Sequence, residues 1–268
     1  MPDIYASVTQ LDAATQERLG ARLETRGSDA QHQEMHRAFF ADIPFPPQSR
    51  VLEIGCGTGV QARALAALPQ VAVVVGIDPG VTLLTTAREF AADLPNVTFE
   101  EADGRSLPFA DASFDVVVIH TTLAHVPHPE QVLAEAFRVL PRGGVLAVFD
   151  TDYPSWSIAL SEHDLLQSAL AALGASGVLN FWLLRQLPGL VRGCGFGATA
   201  LRSYSVVETV ASEYTLLTID RSADSLHNSG QIGAAMAEAL KAEARRRSAA
   251  GMFFGFIAYG SLITRKPA

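Results

Sequence analysis

Apolar and polar positions divide the chain into a patterned centre and two flanking regions. Between residues 48 and 150, short runs that are apolar throughout, such as "VAVVV" and "VVVI", alternate with segments whose apolar residues recur at helical spacing. A uniformly apolar run is typical of a parallel strand covered on both faces, because neither face meets water. The alternation therefore predicts a doubly wound α/β domain over 48–150.

Five strands and three helices can be read in this central region. The strands are "RVLEIG", "VAVVVGID", "NVTFEEAD", "FDVVVIH" and "GGVLAVFD", and the helices are "GVQARALAAL", "VTLLTTAREFAADL" and "PEQVLAEAFRVL". Parallel strands present their carboxyl ends at one edge of a sheet, and ligands of open α/β sheets bind there. Candidate functional residues are therefore those that end a strand or follow it directly.

The flanking regions read mostly as helices. The pattern of residues 1–47 predicts two helices. The second helix stops at "PFPP" because proline cannot continue a helix. Residues 151–250 predict an insertion over the carboxyl edge of the sheet, with helices around "SEHDLLQSALAALGA", "NFWLLRQLPGLVRGCG" and "GQIGAAMAEALKAEARRRSAA" and a strand at "ATALRSYSVVET". Residues 251–268 predict a last strand that completes the sheet. We expect the helices before Pro44 and those of 151–195 to form a lid over the ligand site at this edge.

Composition narrows the class of protein. The 268 residues fit one large domain with an insertion, and the formal net charge of −8 argues against a nucleic-acid partner, since phosphate neutralisation needs a basic surface. The two cysteines do not suggest a disulfide framework. No secretory signal or apolar run of about 20 residues is present, so a cytoplasmic location without a membrane span is expected. We expect a monomer or a homodimer.

The stretch "VLEIGCGTGV" places three glycines directly after the first predicted strand. A strand, a glycine-rich turn and a helix bring backbone N–H groups and the positive end of the helix to one point, where a nucleotide-like group can approach closely. The spacing is Gly55-x-Gly57-x-Gly59, followed by Val60. The dinucleotide fingerprint G-x-G-x-x-G needs its third glycine where Val60 stands, which weakens an NAD-type interpretation.

Three acidic residues accompany the glycine loop. Glu53 lies in the first strand, Asp78 ends the second and Asp103 follows the third. Asp78 stands about 20 residues after the glycines, where a carboxylate can accept hydrogen bonds from ribose hydroxyls. Asp103 is placed to receive an adenine amino group, and Glu53 lies under the loop, where it can orient the loop or act on a cation. A ligand with a ribose, an adenine and a cationic end therefore fits better than a dinucleotide.

These motifs resemble class I S-adenosylmethionine-dependent methyltransferases, specifically the type 11 or UbiE-like small-molecule group. The resemblance covers about Arg50 to Asp150 and rests on "VLEIGCGTG", "GIDPG", "EEADGRSLPFADASFDVVV", "LAHVPHPEQVLAEAFRVLPRGG" and "VLAVFD". It implies a Rossmann-like, seven-stranded, mostly parallel sheet with the last strand antiparallel. It also implies methyl transfer from S-adenosyl-L-methionine to the oxygen, nitrogen or carbon of a small molecule.

The resemblance also implies which residues meet the cofactor. The three glycines would approach its methionine part, Asp78 its ribose, and Asp103 with Gly104 its adenine. No metal site is predicted. The full predicted cofactor site consists of Glu53, Gly55, Cys56, Gly57, Gly59, Asp78, Pro79, Asp103, Gly104 and His120.

Three residues are candidates for catalysis. His120 ends the fourth strand, at the edge where the methyl group should point, and histidine is a natural general base near neutral pH. His125 in "LAHVPHPE" and Asp152 in "FDTDYPSW" are the alternatives. Two other functions stay open at this point: a non-methylating or cofactor-sensing protein with the same fold and, with less support, an NAD-type oxidoreductase.

Overall fold

One seven-stranded sheet organises the molecule. The computed structural model describes the backbone of residues 3–268 and their side chains other than those of 172, 173, 175 and 176. The strand order is β3-β2-β1-β4-β5-β7-β6. The strands are β1 (Ser49–Ile54), β2 (Val71–Asp78), β3 (Val97–Glu101), β4 (Val116–His120), β5 (Val145–Ser157), β6 (Leu201–Glu208) and β7 (Gly255–Arg265).

The directions of the strands confirm the predicted topology. β1 to β5 pair in parallel, whereas β7 lies between β5 and β6 and is antiparallel to both. The crossovers therefore bring the carboxyl ends of the five parallel strands to one edge. This is the seven-stranded, Rossmann-like arrangement expected from the sequence, with the last strand antiparallel.

The described chain contains α-helices before and between these strands. The helices are α1 (Ala13–Ser28), α2 (Ala30–Asp42), α3 (Val60–Ala66), α4 (Val81–Phe90), α5 (Pro129–Val139), α6 (Leu165–Gly177), α7 (Leu183–Gly193), α8 (Glu213–Asn228) and α9 (Ala234–Ala249). Side-chain caps fix several starting points: Asp12 accepts from the backbone N–H of Thr15, and Ser212 accepts from that of Thr215. None of the described helices has the length and hydropathy needed to cross a bilayer.

Both faces of the central strands are buried, as their uniform apolarity predicted. Val51 and Val118 belong to one core layer together with Phe39 of α2, and Leu52 and Ile119 belong to the other together with helices α5 and α7. Burial of a large aliphatic side chain contributes about 1.5–3 kcal/mol. The sheet therefore forms a rigid platform for the loops at its carboxyl edge.

The segment after β5 differs in detail from the sequence interpretation. β5 continues past Asp150 to Ser157, because its second half pairs with β7. The helix α8 was not predicted at all. Helices α6, α8 and α9 share a small core of their own, whose members include Leu166, Ile219 and Leu240. These three helices therefore form a small helical layer with its own core, whereas α7 and β6 of the same segment pack on the sheet and extend it.

Candidate functional site

Asp78 joins the two loops at the carboxyl ends of β1 and β2. Its Oδ2 accepts a hydrogen bond from the backbone N–H of Gly57 at 2.9 Å, and its Oδ1 accepts one from Gly80 at 2.8 Å. Gly55 has a φ of 78°, and a Cβ atom there would lie 2.3 Å from Thr122 Cγ2. Only glycine fits this backbone and this close approach. The loop is thus held at the sheet edge by the Asp78 carboxylate together with the Ile77 carbonyl, which accepts from the N–H groups of Gly55 and Cys56.

A cavity lies over this loop and extends to the end of β4. The glycine loop, Asp78 and Pro79 form one side of it, and His120 with Thr121 forms its floor. Helix α1 closes the cavity from above the loop, since Leu23 Cδ1 would be 2.8 Å from a Cβ atom at Gly57. Parts of α6 and α8 complete the wall. The structure thus brings together, around one space, most of the cofactor residues predicted from the sequence.

Two buried acids give this cavity an unusual charge state. Burial raises the pKa of Asp78 to about 6, and burial together with the charge of Asp78 raises the pKa of Glu53 to about 8. At pH 7, Asp78 is therefore mostly ionised and Glu53 mostly protonated. Within the described chain, Glu53 Oε2 and Thr58 Oγ1 are buried without a hydrogen-bond partner. Unpaired buried polar atoms beside a cavity fit a polar ligand such as S-adenosylmethionine, with ribose hydroxyls and an ammonium group.

Asp103 and Gly104 do not border this cavity. Asp103 is exposed, and its Oδ2 lies 2.6 Å from Arg105 Nη2 in an ion pair. Their predicted contact with the adenine stays a prediction. Cys56, in contrast, is buried at the cavity wall, and burial together with the charge of Asp78 raises the pKa of its thiol well above the ordinary value. This thiol is protonated and acts as a small apolar group.

His120 lies at the floor of the cavity as a neutral ring. It stacks on Phe149 with ring centroids 4.8 Å apart, and its centroid lies 4.5 Å from that of His36. Burial and the neighbouring His36 and Arg26 lower its pKa well below the ordinary value. Its Nε2 is buried and has no partner in the described part of the chain. His120 can therefore accept a hydrogen bond or a proton from a group in the cavity.

His125 takes part in a chain of hydrogen bonds at the same cavity. Its Nδ1 lies 2.7 Å from Asp3 Oδ2, and its Nε2 lies 3.1 Å from the hydroxyl of Tyr153. A carboxylate only accepts, so Nδ1 carries the proton and Nε2 accepts from the phenol. Asp3 was missed by the sequence reasoning, since no local pattern connects residues 122 positions apart. This arrangement can pass a proton from the cavity to the imidazole.

Asp152 is not brought to the cavity with the two histidines. Its carboxylate accepts from Arg185, with Oδ1 2.8 Å from Nε and Oδ2 3.0 Å from Nη2. The neighbouring Tyr153 borders the cavity instead. Asp152 keeps its catalytic role only as a prediction.

Three arginines at the cavity were also missed by the sequence reasoning. Arg22 and Arg26 come from α1 and Arg221 from α8. Arg26 Nη2 donates to Thr121 Oγ1 at 2.9 Å, directly after the end of β4. The sequence did contain a signal, because Arg22 and Arg26 stand four residues apart and so share one face of a helix. A cation at this point fits the carboxylate of the cofactor's methionine.

A family model described as "Methyltransferase domain" matches residues 52–148. This range contains the glycine loop, Asp78 and His120. The match identifies this central part, rather more than a third of the chain, as similar to methyltransferase domains. The resemblance noted in the sequence is thereby confirmed, and S-adenosylmethionine is the cofactor of this family.

Relatives in sequence match only part of the length of this chain. It is 30% identical over 190 residues to an uncharacterized protein of a Streptomyces fradiae transposon, a match that covers 70% of this chain and 55% of the relative. It is 33% identical over 135 residues to demethylmenaquinone methyltransferase of Staphylococcus aureus, which covers 50% of this chain and 56% of that enzyme. The chain thus spans about half the length of the curated relatives it matches.

A solved structure matches this chain over its whole length. The cyclase SpnF superposes with a TM-score of 0.62 at 20% identity, and the match covers 100% of this chain and 98% of SpnF. At this identity the likeness shows the fold alone. The helical insertion and the antiparallel last strand are therefore part of a fold that is shared from end to end.

Proposed function

We propose that the chain transfers a methyl group from S-adenosylmethionine to the oxygen, nitrogen or carbon of a small molecule. The observation that carries this proposal is the cavity itself. It joins the glycine loop and Asp78 to Nε2 of His120, which has no partner among the described residues, and residues of α1 and α8 line it. The predicted cofactor loop and a candidate base thus border one space.

Each part of the cofactor has a matching group in the cavity. Asp78 would accept from the ribose hydroxyls, because each carboxylate oxygen has a second lone pair beside the one used for the loop. Glu53 Oε2 would accept from the ammonium group, and Arg26 would bind the carboxylate. Bound there, the cofactor supplies a sulfonium-activated methyl group. The protein positions the acceptor in line with it and excludes water.

Three residues are candidates to remove a proton from the methyl acceptor: His120, His125 acting through Tyr153, and Asp152. His120 is already neutral and has a free Nε2, but a base with a strongly lowered pKa is a weak one. In the second route, the hydroxyl of Tyr153 would take a proton from the methyl acceptor and pass its own proton to His125. The Asp3 carboxylate would stabilise the imidazolium that forms. Both routes are proposals, and Asp152 is the third and least direct candidate.

The decisive experiment is the formation of S-adenosylhomocysteine. The protein is incubated with S-adenosylmethionine and a panel of small acceptors with hydroxyl, amine and activated carbon groups, and the product is measured by mass spectrometry. If S-adenosylhomocysteine forms with only one class of acceptor, that class identifies the reacting atom. Calorimetric titration with S-adenosylhomocysteine and with NAD serves as the control. Binding of NAD alone would contradict the proposal and favour the oxidoreductase.

One observation favours a second candidate, a non-methylating use of the same cavity. SpnF, which matches over the whole chain, is described as a cyclase. Cofactor binding without S-adenosylhomocysteine formation by any acceptor would favour this alternative. The two functions differ in whether the cofactor is consumed.

The partner we propose is the small-molecule acceptor alone. The net charge of −8 disfavours nucleic acid as the substrate. A monomer or a homodimer remains the expected oligomeric state, and sedimentation analysis would distinguish the two.

A further inference from the structure

Arg22 holds a guanidinium group at the cavity with two of its nitrogens unpaired. Its Nη2 donates to Thr218 Oγ1 of α8 at 2.8 Å. Its Nε and Nη1 are buried and have no hydrogen-bond partner among the described residues. Buried N–H groups of a cation are costly to leave unpaired. The free protein therefore holds donors that a bound group would satisfy.

A second arginine borders the same space. Arg221 lies on α8, three residues after Thr218, and burial together with the charge of Arg22 lowers its pKa. In the part of the chain that the structure describes, no carboxylate forms an ion pair with either arginine. By contrast, Arg63 of α3 does form an ion pair with Glu24 of α1, at 2.8 Å. Two like charges that face a cavity without a counter-ion favour the binding of an anion.

The cofactor alone does not balance these charges. S-adenosylmethionine has one carboxylate, one ammonium and one sulfonium group, so its net charge is positive. Its carboxylate is matched by Arg26, which is fixed to Thr121 at the end of β4, whereas Arg22 is fixed to α8. With Glu53 mostly protonated at pH 7, Asp78 is the only other ionised carboxylate at the described cavity wall. Arg22 and Arg221 are therefore left for another ligand.

The rest of the wall at this point is aromatic. The ring of Tyr214 lies 5.1 Å from Arg22 Cζ, and Tyr5, Tyr153 and Trp156 also border the cavity. Aromatic walls bury apolar surface and hold planar groups. The region between α1 and α8 thus combines two cations with an apolar surface.

We propose that Arg22 and Arg221 bind an anionic group, a carboxylate or a phosphate, of the methyl acceptor, whose apolar body contacts the surrounding aromatic side chains. This inference rests on the proposed function and deepens it. It defines the acceptor as an organic anion rather than a neutral or cationic molecule. The anion would be fixed between α1 and α8, and the reacting atom would point towards His120.

The test uses small probes on protein saturated with S-adenosylhomocysteine, which occupies Arg26. Benzoate, inorganic phosphate and benzamide are titrated by calorimetry at constant ionic strength; benzamide has the shape of benzoate without its charge. Benzoate or phosphate is expected to bind more tightly than benzamide, and the stronger of the two identifies the anion. Arg22→Gln and Arg221→Gln are each expected to weaken this binding about tenfold or more.

Arg18→Gln is the matched control, because Arg18 is exposed on α1 one turn before Arg22 and bonds only to Thr15 within the described chain. It should leave anion binding unchanged. Preference for benzamide, or no effect of either cavity variant, overturns the proposal. So does an equal loss of S-adenosylhomocysteine and benzoate binding in Arg22→Gln, since Arg22 would then hold the cofactor.

The outcomes also separate this inference from the proposed function. In one outcome, the unaltered protein binds benzoate but not S-adenosylhomocysteine, and Arg221→Gln abolishes the binding of benzoate. The anion site then stands and the methyl-transfer proposal fails. If Arg22→Gln does not fold, Arg221→Gln decides the question alone. Intact methyl transfer to a neutral acceptor in both variants would contradict the anion site while supporting methyl transfer.

Discussion

A single carboxylate, that of Asp78, binds the loops after β1 and β2 and is also the proposed partner of the cofactor's ribose. Asp78→Ala removes the acceptor of the Gly57 and Gly80 N–H groups as well as the proposed ribose contact. Charge-assisted hydrogen bonds contribute about 1.5–3 kcal/mol, so calorimetry should show binding of S-adenosylhomocysteine that is about tenfold weaker or worse. Asp103→Ala tests the predicted adenine contact separately: a comparable loss would support that contact, and a change of less than about threefold would leave Asp103 with its surface ion pair to Arg105 alone. Unchanged affinity in folded Asp78→Ala would contradict the assignment.

Glu53 makes the stability of the fold depend on pH. Its pKa is about 8 in the folded state and 4.5 ordinarily, so the folded state binds more protons between these values. Stability therefore falls as pH rises from about 4.5 to about 8, by a few kcal/mol in total. The amide of Glu53→Gln does not titrate in this range, so the variant lacks this contribution. Urea unfolding from pH 5 to pH 8.5 should show a smaller loss of stability in the variant, and parallel pH profiles would refute the buried, protonated state.

His120 as the base leads to a distinct pH–rate profile. Because its pKa is well below 6.5, kcat should show no acidic limb near neutral pH that belongs to this residue. His120→Ala should lower kcat about 10²- to 10⁴-fold with cofactor affinity nearly intact. Tyr153→Phe is the companion variant, since it interrupts the route to His125 and leaves His120 in place. A large loss in Tyr153→Phe alone would transfer the role to His125.

At the scale of elements, α1, α6 and α8 close the cavity from three sides. Helices that cover a ligand become ordered when it binds. Hydrogen exchange in 13–28, 165–177 and 213–228 should slow when S-adenosylhomocysteine is added. α5 packs on the sheet through Leu133 and Ala136 and should exchange equally in both states. Equal exchange throughout would indicate that these helices are fixed walls rather than a lid.

The elements also show where sequence reasoning was limited. The strands β1 to β5 could be predicted because burial on both faces leaves a uniformly apolar sequence. α8 was missed although Leu216, Ile219, Ala223 and Leu226 stand at helical spacing, since its polar residues separate them. Contacts between distant segments, such as those of Asp3 with His125 and of Arg22 with Thr218, depend on the packing of whole helices. No local pattern specifies them.

At the scale of the whole molecule, ligand binding should raise the melting temperature. S-adenosylhomocysteine at about 100 times its Kd stabilises the folded state by about 2.7 kcal/mol, which corresponds to a shift of roughly 5–10 °C for a chain of this size. Scanning calorimetry measures the shift. NAD at the same concentration should give none, and a comparable shift with NAD would reopen the dinucleotide interpretation.

The contact between Asp3 and His125 would, under the proposed function, make catalysis depend on a segment that lies outside every strand and helix. Asp3 is buried and also accepts from the backbone N–H of Leu179, so this short segment connects the imidazole to the loop before α7. Asp3→Asn would keep the shape of the side chain, remove its charge and leave every strand intact. Such a variant would be impaired as a catalyst while its circular dichroism stayed unchanged. A spectroscopic check of folding would then miss a defect that only turnover reveals.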